Sequence, residues 1–297
     1  MCCLFGIIDY RSNSNGRQKS RMLSVLAKEC EIRGTDATGV AYNSGGKLRI
    51  YKRPLAAGKM RFRIPDDAAI IMGHTRMTTQ GSEKRNYNNH PFPGRCGGLP
   101  FALAHNGVLR NDHALRRSMR LPHTKVETDS YIGVQLLEQY PKLGFESLGH
   151  MAETVEGSFS FTVLDGGDRL YMVKGDNPLC LYHYPRLGLY IYASTEEILK
   201  KATPKMHLRY EKPVRVELAC GDLLCLDGSS GAITMGKFDD SKLFRDWYYH
   251  PYSVGYPSQC DPAFDEEYLE ELKSVASAFG YSPDDIDFLR SQGFTTD

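Results

Sequence analysis

The chain lacks the features that mark several classes of protein. No apolar run approaches the ~18 residues of a membrane span, and the residues before Asp9 include too few apolar side chains for a signal-peptide core. The 8 cysteines show no doubled C-x-x-C spacing, which argues against a zinc site, and they are few for a disulfide scaffold. We therefore expect reduced thiols and a cytoplasmic location.

The chain also lacks a large net charge of either sign. The 37 basic and 36 acidic residues give a formal charge of +1, which is no electrostatic footprint for nucleic acid or for a membrane surface. The hydrophobic content of 41% and the length of 297 residues suit a globular protein with a substantial core. We expect no nucleic-acid partner and no membrane partner, while the charge balance predicts nothing about a small-molecule substrate.

Hydrophobic periodicity predicts a mixture of strands and helices. Apolar runs and alternating patterns bounded by turn residues predict strands at 4–8, 39–43, 47–53, 68–74, 99–105, 157–165, 169–175, 179–184 and 188–194, with two more inside 214–227. Helical spacing predicts helices at 18–32, 129–140 and 196–202. The segment 82–98 has the composition of a loop.

The composition changes beyond about residue 235. We predict a main domain at 2–235 and a C-terminal extension at 236–297. The extension starts with an aromatic, turn-rich stretch that contains the only tryptophan, Trp247. Amphipathic spacing, capping residues and helix-stop glycines then predict helices at 262–279 and 283–291. The extension either packs back on the main domain or docks a partner.

A cysteine directly after the initiator methionine offers an unusual chemical possibility. Its side chain is small enough for routine removal of Met1, which leaves the α-amine of Cys2 beside the Cys2 thiol. Because an α-amine titrates at about 7.7–8.0, one residue can then supply both a nucleophile and a base suited to neutral pH. Position alone favours the simpler interpretation, in which Cys2 is an incidental small residue.

Seven short motifs change that balance. They occur in the order MCCLFGI, RGTDATGVA, GHTRMTTQG, NNHPF, AHNGVLRN, ETDSY and EGSFSFTVLD. The set covers about residues 2–225 and resembles the class II glutamine amidotransferases, as in the glutaminase domain of glucosamine-6-phosphate synthase. The resemblance implies an α+β fold of the N-terminal-nucleophile hydrolases, a four-layer αββα sandwich of two antiparallel sheets, with a small helical extension added here. It implies no cofactor and no metal.

Glutamine carries a carboxylate, an ammonium group and a neutral amide, so its site needs a cation, an anion and an oxyanion hole. Arg76, just past the predicted 68–74 strand, can hold the α-carboxylate with two parallel hydrogen bonds. Thr79 can add a hydroxyl donor to the same carboxylate. Outside the motif, Arg76 is equally well a surface arginine on a polar loop.

Asn106 and Gly107 follow the predicted strand that ends at residue 105. The side-chain amide of Asn106 and the backbone N–H of Gly107 can together hold the oxygen of a tetrahedral intermediate. Without context, Asn-Gly is more simply a hairpin-turn dipeptide. Asp129 fits a helix start, where acids are favoured, and a capping position also leaves its carboxylate accessible. The resemblance assigns the α-amine of glutamine to Asp129.

Further residues take their roles from the resemblance. Arg33 and Asp36 match a segment that lies near the nucleophile, so we expect them to support the Cys2 loop, with a structural ion pair as the alternative. The sequence contains three histidines that could pair with the cysteine as a catalytic base, namely His74, His90 and His105. Because the family uses no histidine base, we expect structural roles for all three.

The chain departs from the family pattern at three places. Cys3 stands where the family usually has glycine, and we expect its larger side chain either to crowd the N-terminus or to supply a second thiol that is open to oxidation. Gln80 stands where the family often has histidine, so it retains hydrogen bonding but does not titrate. The roughly 70 residues after the matched region are too few for a sugar-isomerase domain.

These observations predict a glutamine amidohydrolase that uses Cys2 and forms a thioester. L-Glutamine is the expected substrate, and a separate synthase subunit is the expected acceptor of the ammonia. Two alternatives stay open, namely an amidase of the same fold that acts on another γ-glutamyl amide and a non-catalytic glutamine-binding module. Retention of Met1 would favour the second alternative because a blocked amine cannot act as the base.

Overall fold

A computed structural model describes residues 2–208 and 211–243, together with the single residues 273, 282, 284 and 287. The chain divides into two compact units, Met1–Trp247 and Tyr248–Asp297. The predicted boundary at residue 235 stays a prediction. Apart from those single residues, the predicted helices 262–279 and 283–291 and the aromatic segment from residue 244 lie outside the described residues.

Residues 2–208 and 211–243 form thirteen strands and five α-helices. The strands are β1 (Cys3–Asp9), β2 (Ala37–Ser44), β3 (Lys47–Arg53), β4 (Ile70–Arg76), β5 (Phe92–Cys96), β6 (Leu99–Leu109), β7 (Gly157–Asp165), β8 (Arg169–Lys174), β9 (Cys180–Tyr184), β10 (Leu189–Ala193), β11 (Val214–Val216), β12 (Asp222–Asp227) and β13 (Ile233–Lys237). The helices are α1 (Gly16–Glu29), α2 (Asp112–Ser118), α3 (Tyr131–Leu137), α4 (Phe145–Thr154) and α5 (Glu196–Ala202).

The strands form two antiparallel sheets. Sheet A has the order β11-β9-β10-β1-β4-β2-β3, so β1 lies at its centre, and sheet B has the order β13-β12-β8-β7-β6-β5. In sheet A, β1 pairs with β4 so that Cys3 lies opposite Thr75 and Leu4 lies opposite His74. This register brings the start of β1 to the end of β4, which is where the predicted nucleophile and the predicted carboxylate-binding arginine occur.

Three separate hydrophobic cores define four layers. α1 and α5 cover one face of sheet A, where Phe5 and Ile7 pack among helix residues. Leu4 and Ile8 alternate with them along β1 and join the second core, which also contains side chains from sheet B. α3 and α4 cover the other face of sheet B around Phe161. The order helix, sheet, sheet, helix confirms the predicted four-layer αββα sandwich.

A capping box explains where α1 begins, and a 3-10 turn follows its end. The Asn15 side chain accepts a hydrogen bond from the Gln18 backbone N–H, and the Gln18 side chain accepts one from the Asn15 N–H, which forms a capping box. A 3-10 turn at Cys30–Arg33 continues the chain, so the predicted helix 18–32 covers both elements. Helix α5 has the predicted bounds. In the described part of the chain, no helix is both long enough and apolar enough to cross a membrane.

The loop predicted at 82–98 and the end of the strand predicted at 99–105 were wrong. Residues 92–96 form β5 although Pro93 and Gly94 give this segment the composition of a loop. As the edge strand of sheet B, β5 pairs only with β6, and an edge strand tolerates proline. β6 continues to Leu109, beyond the predicted end at 105, because β7 pairs with it over its whole second half. The predictions also omitted α2, α4 and β13.

Candidate active site

Cys2 lies at one end of the sandwich, directly before the central strand β1. Cys2 is partly buried, and its Sγ lies 3.5 Å from the backbone oxygen of Met77. Burial raises the pKa of the Cys2 thiol above its ordinary value, while the Met77 contact and the positive charge of Arg76 oppose that rise. A thiol in this setting stays protonated at neutral pH, so it needs a base to become a nucleophile.

Arg33 holds the backbone of Cys2, and Asp36 holds the backbone at the end of β4 and directly after it. Arg33 donates from Nε to the carbonyl oxygen of Cys2 at 2.9 Å. Asp36 accepts a hydrogen bond from the Thr78 N–H at 2.7 Å, and its own N–H donates to the carbonyl oxygen of Arg76 at 3.0 Å. Both predicted supports therefore contact the segments that form the site.

Arg76 is the last residue of β4 and is only 3% exposed. Nη1 donates to Oδ1 of Asn89 at 2.8 Å, and Nη2 donates to the carbonyl oxygens of Gln80 at 2.5 Å and Gly81 at 2.7 Å. Burial lowers the pKa of Arg76, an effect that the nearby Cys2 and carboxylates oppose. A guanidinium can donate two parallel hydrogen bonds to a carboxylate either from Nη1 and Nη2 or from Nε and Nη2. Both arrangements use Nη2, so Nη2 must release one of its two carbonyl oxygens before Arg76 can bind a carboxylate in this way.

The segment after Arg76 contains an unpredicted polar group. Thr79, the predicted hydroxyl donor, is exposed to solvent. The hydroxyl of its neighbour Thr78 is buried, and within the described structure it has no hydrogen-bond partner. A buried unpaired hydroxyl is costly unless a water or ligand atom satisfies it, so Thr78 is a further candidate for contact with a bound molecule.

Asn106 and Gly107 lie inside β6, so the predicted exit from the strand was wrong, as was the alternative of a hairpin turn. Asn106 pairs with Ser160 and Gly107 with Phe159 of β7. Gly107 has φ +142, and a Cβ there would lie 1.8 Å from the Ser158 carbonyl oxygen. Only glycine fits this backbone, which is distorted next to Asn106.

The Asn106 side chain is fully buried and reaches across to sheet A. Its Nδ2 lies 3.4 Å from Oγ of Ser194, and that hydroxyl accepts the Leu4 N–H at 2.9 Å. The Asn106 amide is therefore connected to a residue two positions after Cys2. No described group hydrogen-bonds its Oδ1.

Asp129 is anchored to sheet B and is 5% exposed. Its Oδ2 accepts the N–H of Leu109 at 2.6 Å, and its Oδ1 accepts the N–H of Ser130 at 2.7 Å. The helix starts at Tyr131, two residues later than predicted. The Asp129 backbone N–H donates to Oε1 of Gln80 at 2.9 Å, a contact that sequence reasoning did not find.

The three histidines are buried beside these residues. Nε2 of His74 contacts the His105 carbonyl oxygen at 3.0 Å, and the His74 and His90 ring centroids lie 4.1 Å apart. Burial lowers the pKa of His74 to about 3, and it lowers the pKa values of His90 and His105 as well. All three rings are therefore neutral at neutral pH.

His105 also contacts the anchor of Asp129. Nδ1 of His105 lies 2.8 Å from Oγ of Ser130, and that hydroxyl donates to Oδ1 of Asp129 at 3.1 Å. The Ser130 hydroxyl therefore connects the His105 ring to the Asp129 carboxylate. Among residues 2–208 and 211–243, no three histidine, cysteine or acidic side chains are grouped to hold a metal.

The chain is similar in sequence to known proteins. No protein-family model matches the chain. A glutamine–fructose-6-phosphate aminotransferase (isomerizing) of Halobacterium salinarum is 31% identical over 158 residues, which are 52% of this chain and 26% of that protein. The namesake enzyme of Aeropyrum pernix is 32% identical over 193 residues, 60% of this chain and 30% of the relative. The chain thus spans less than a third of the length of these curated relatives.

A solved structure shares the fold. Glutamine phosphoribosylpyrophosphate amidotransferase from B. subtilis, complexed with ADP and GMP, superposes with a TM-score of 0.61 at 17% identity, over 80% of this chain and 49% of that one. The layered sandwich, with Cys2 directly before its central strand β1, is the fold that the two structures share. In sequence, the chain is similar to the glutamine–fructose-6-phosphate aminotransferases over the 158 and 193 residues given above.

Proposed function

We propose that the chain hydrolyses L-glutamine to glutamate and ammonia, with Cys2 as the nucleophile after removal of Met1. One observation carries the proposal: the Cys2 thiol, the Arg76 guanidinium and the Asp129 carboxylate belong to one connected group of residues. The Cys2 Sγ lies 3.5 Å from the backbone oxygen of Met77, which directly follows Arg76, and Gln80 hydrogen-bonds both Arg76 and the Asp129 backbone. They supply the nucleophile, cation and anion that recognition of a γ-amide on an α-amino acid requires.

Binding comes first in the proposed reaction. The α-carboxylate of glutamine takes the place of a loop carbonyl on Arg76 and accepts a further hydrogen bond from Thr79. The α-ammonium binds the carboxylate of Asp129. Because Arg76 and Asp129 are buried and anchored by backbone contacts, they lose little freedom when the substrate arrives.

Acylation follows. The α-amine of Cys2 takes the thiol proton, directly or through one water, and the thiolate attacks the side-chain carbonyl carbon of glutamine. The oxygen becomes negative as the C–S bond forms, and the Asn106 amide and the Gly107 N–H stabilise it. When the C–N bond breaks, the amine proton moves to the leaving nitrogen and ammonia departs.

Hydrolysis of the γ-glutamyl thioester completes the cycle. A water molecule gives one proton to the Cys2 α-amine and adds its oxygen to the thioester carbon. The C–S bond then breaks, the sulfur regains the proton, and glutamate leaves. Arg33 keeps the Cys2 main chain in one orientation through both halves of the reaction.

The ammonia acceptor belongs to the proposal as well. We infer that a separate synthase subunit receives the ammonia, because release into water would waste glutamine. The relatives are named as aminotransferases that use glutamine with fructose 6-phosphate, and this chain spans only 26–30% of their length. Our proposal names no sugar or other acceptor for this chain.

The test is ammonia and glutamate release from glutamine by the purified chain. Cys2→Ala should abolish both products, whereas Cys220→Ala, at a partly buried thiol before β12, should leave the rate unchanged. Undiminished release by the Cys2→Ala variant would contradict the proposal. A panel of asparagine and γ-glutamyl peptides tests the alternative amidase, which would prefer one of these compounds to glutamine.

A further inference from the structure

Gln80 contacts both residues that the proposed function assigns to the amino-acid end of glutamine. Its side-chain Oε1 accepts the backbone N–H of Asp129 at 2.9 Å. Its backbone carbonyl oxygen accepts a hydrogen bond from Nη2 of Arg76 at 2.5 Å. One residue therefore joins the predicted cation site to the predicted anion site.

The two sites belong to different sheets. Arg76 ends β4 in sheet A, whereas the carboxylate of Asp129 is anchored on the Leu109 N–H of β6 in sheet B. The α-carboxylate and α-ammonium of an amino acid are attached to one carbon, so their binding groups must keep a fixed separation. Any sliding between the sheets at this end would change that separation.

We propose that Gln80 is a positioning residue that fixes the separation between Arg76 and Asp129 and so selects ligands that carry both an α-carboxylate and an α-ammonium group. This inference rests on the proposed function for the identity of the substrate. Gln80 suits the role because its amide accepts a hydrogen bond without adding charge between a guanidinium and a carboxylate. The contact is therefore independent of pH across the neutral range.

Neighbouring contacts make the effect of Gln80 separable from folding. Glu127 donates its N–H to Oδ1 of Asn88 at 3.0 Å and accepts from Nδ2 of Asn88 at 2.7 Å. These two bonds hold the 127–129 segment against the loop that follows β4 even when the Gln80 side chain is changed. Loss of the Gln80 acceptor should therefore disturb the position of Asp129 without unfolding the site.

The experiment compares Gln80→Met, which keeps the length of the side chain and loses the acceptor, with the parent chain. Binding of L-glutamate and of glutarate, which lacks the α-amine, is measured by calorimetry in the Cys2→Ala background. KM and kcat for glutamine are measured with Cys2 intact. Gln139→Met, on an exposed side chain after α3, is the matched control.

We expect Gln80→Met to weaken L-glutamate binding and raise KM for glutamine by about tenfold, which corresponds to ~1.4 kcal/mol. Glutarate binding and kcat should change less than about twofold, and Gln139→Met should stay near the parent protein. Equal losses for L-glutamate and glutarate, or no loss for either, would overturn the inference. Selective L-glutamate binding by a chain that releases no ammonia would overturn the proposed function and leave the role of Gln80 intact.

Discussion

The Nε–H group of Arg33 donates a hydrogen bond to the carbonyl oxygen of Cys2 at 2.9 Å. Arg33 ends the 3-10 turn that follows α1, so this bond connects a packed helical segment to the proposed nucleophile. In the proposed mature chain, which lacks Met1, no preceding peptide holds Cys2. The orientation of its amine and thiol then depends on contacts to its own main chain.

Arg33→Lys should lower kcat by roughly 10- to 100-fold, because lysine keeps the charge but cannot direct an N–H group in the fixed plane of a guanidinium. KM for glutamine should change much less, since the proposed mechanism assigns glutamine binding to Arg76, Thr79 and Asp129. Steady-state kinetics check this, with Arg21→Lys on the exposed face of α1 as the control. A variant with unchanged kcat would show that the Arg33 bond does not orient Cys2.

Asn106→Ala should reduce kcat by about 10²- to 10³-fold, the usual effect of losing one oxyanion donor. Because Asn106 acts on the transition state in the proposed mechanism, KM should stay close to that of the parent chain. Glutamine kinetics separate the two parameters. A rise in KM at constant kcat would instead assign Asn106 to substrate binding.

Gly107→Ala should destabilise the protein and abolish activity. The added Cβ would lie 1.8 Å from the Ser158 carbonyl oxygen, and φ +142 is a conformation that alanine rarely adopts. Thermal unfolding should show a loss of at least about 2 kcal/mol. Gly45→Ala is the matched control, since Gly45 also has a positive φ, of +56, but has open space around its Cβ position.

His74 should make the stability of the protein fall in mild acid. Its pKa is about 3 in the folded chain, because the ring is buried, and about 6.5 when unfolded, so protons bind the unfolded state preferentially. The contribution of the neutral His74 ring to the free energy of unfolding is complete above pH ~6.5 and is lost as the pH falls toward 3. The loss reaches about 2 kcal/mol at pH 5. His74→Gln should therefore flatten the fall of Tm between pH 7 and 5.

His123 provides the control for that experiment because it is exposed. His123→Gln should leave the dependence of Tm on pH unchanged. The buried rings of His90 and His105 should retain part of the slope in the His74→Gln variant, since burial lowers their pKa values as well. An equal slope in the parent chain and the His74→Gln variant would contradict the neutral, buried state of His74.

Most strands and helices of the sandwich were predictable from hydrophobic pattern, whereas its four-layer arrangement followed from the resemblance to a known family. β1 and β4 have uninterrupted buried sequences, and α1 has both an apolar face and a capping box. The failures occur where local composition and tertiary pairing disagree. Asn106-Gly107 has the composition of a turn, but pairing with β7 keeps it in a strand, and Pro93 is tolerated because β5 is an edge.

The site was only partly predictable, because several of its contacts join distant parts of the chain. Motifs pointed to Cys2 and Arg76, which antiparallel pairing then brings together. The bond between Gln80 and Asp129 spans 49 positions, and the one between Asn106 and Ser194 spans 88. No local pattern encodes such partners, since they depend on how the two sheets face each other.

The central claim is that Cys2, with a free α-amine, is the nucleophile for glutamine. Intact mass spectrometry determines whether Met1 is removed, and peptide mapping after reaction with 6-diazo-5-oxo-norleucine identifies the modified residue. The account predicts loss of Met1 and one label, on the sulfur of Cys2, with glutamine protecting against the reaction. Retained Met1 together with no label, or a label on the buried Cys3, would contradict it.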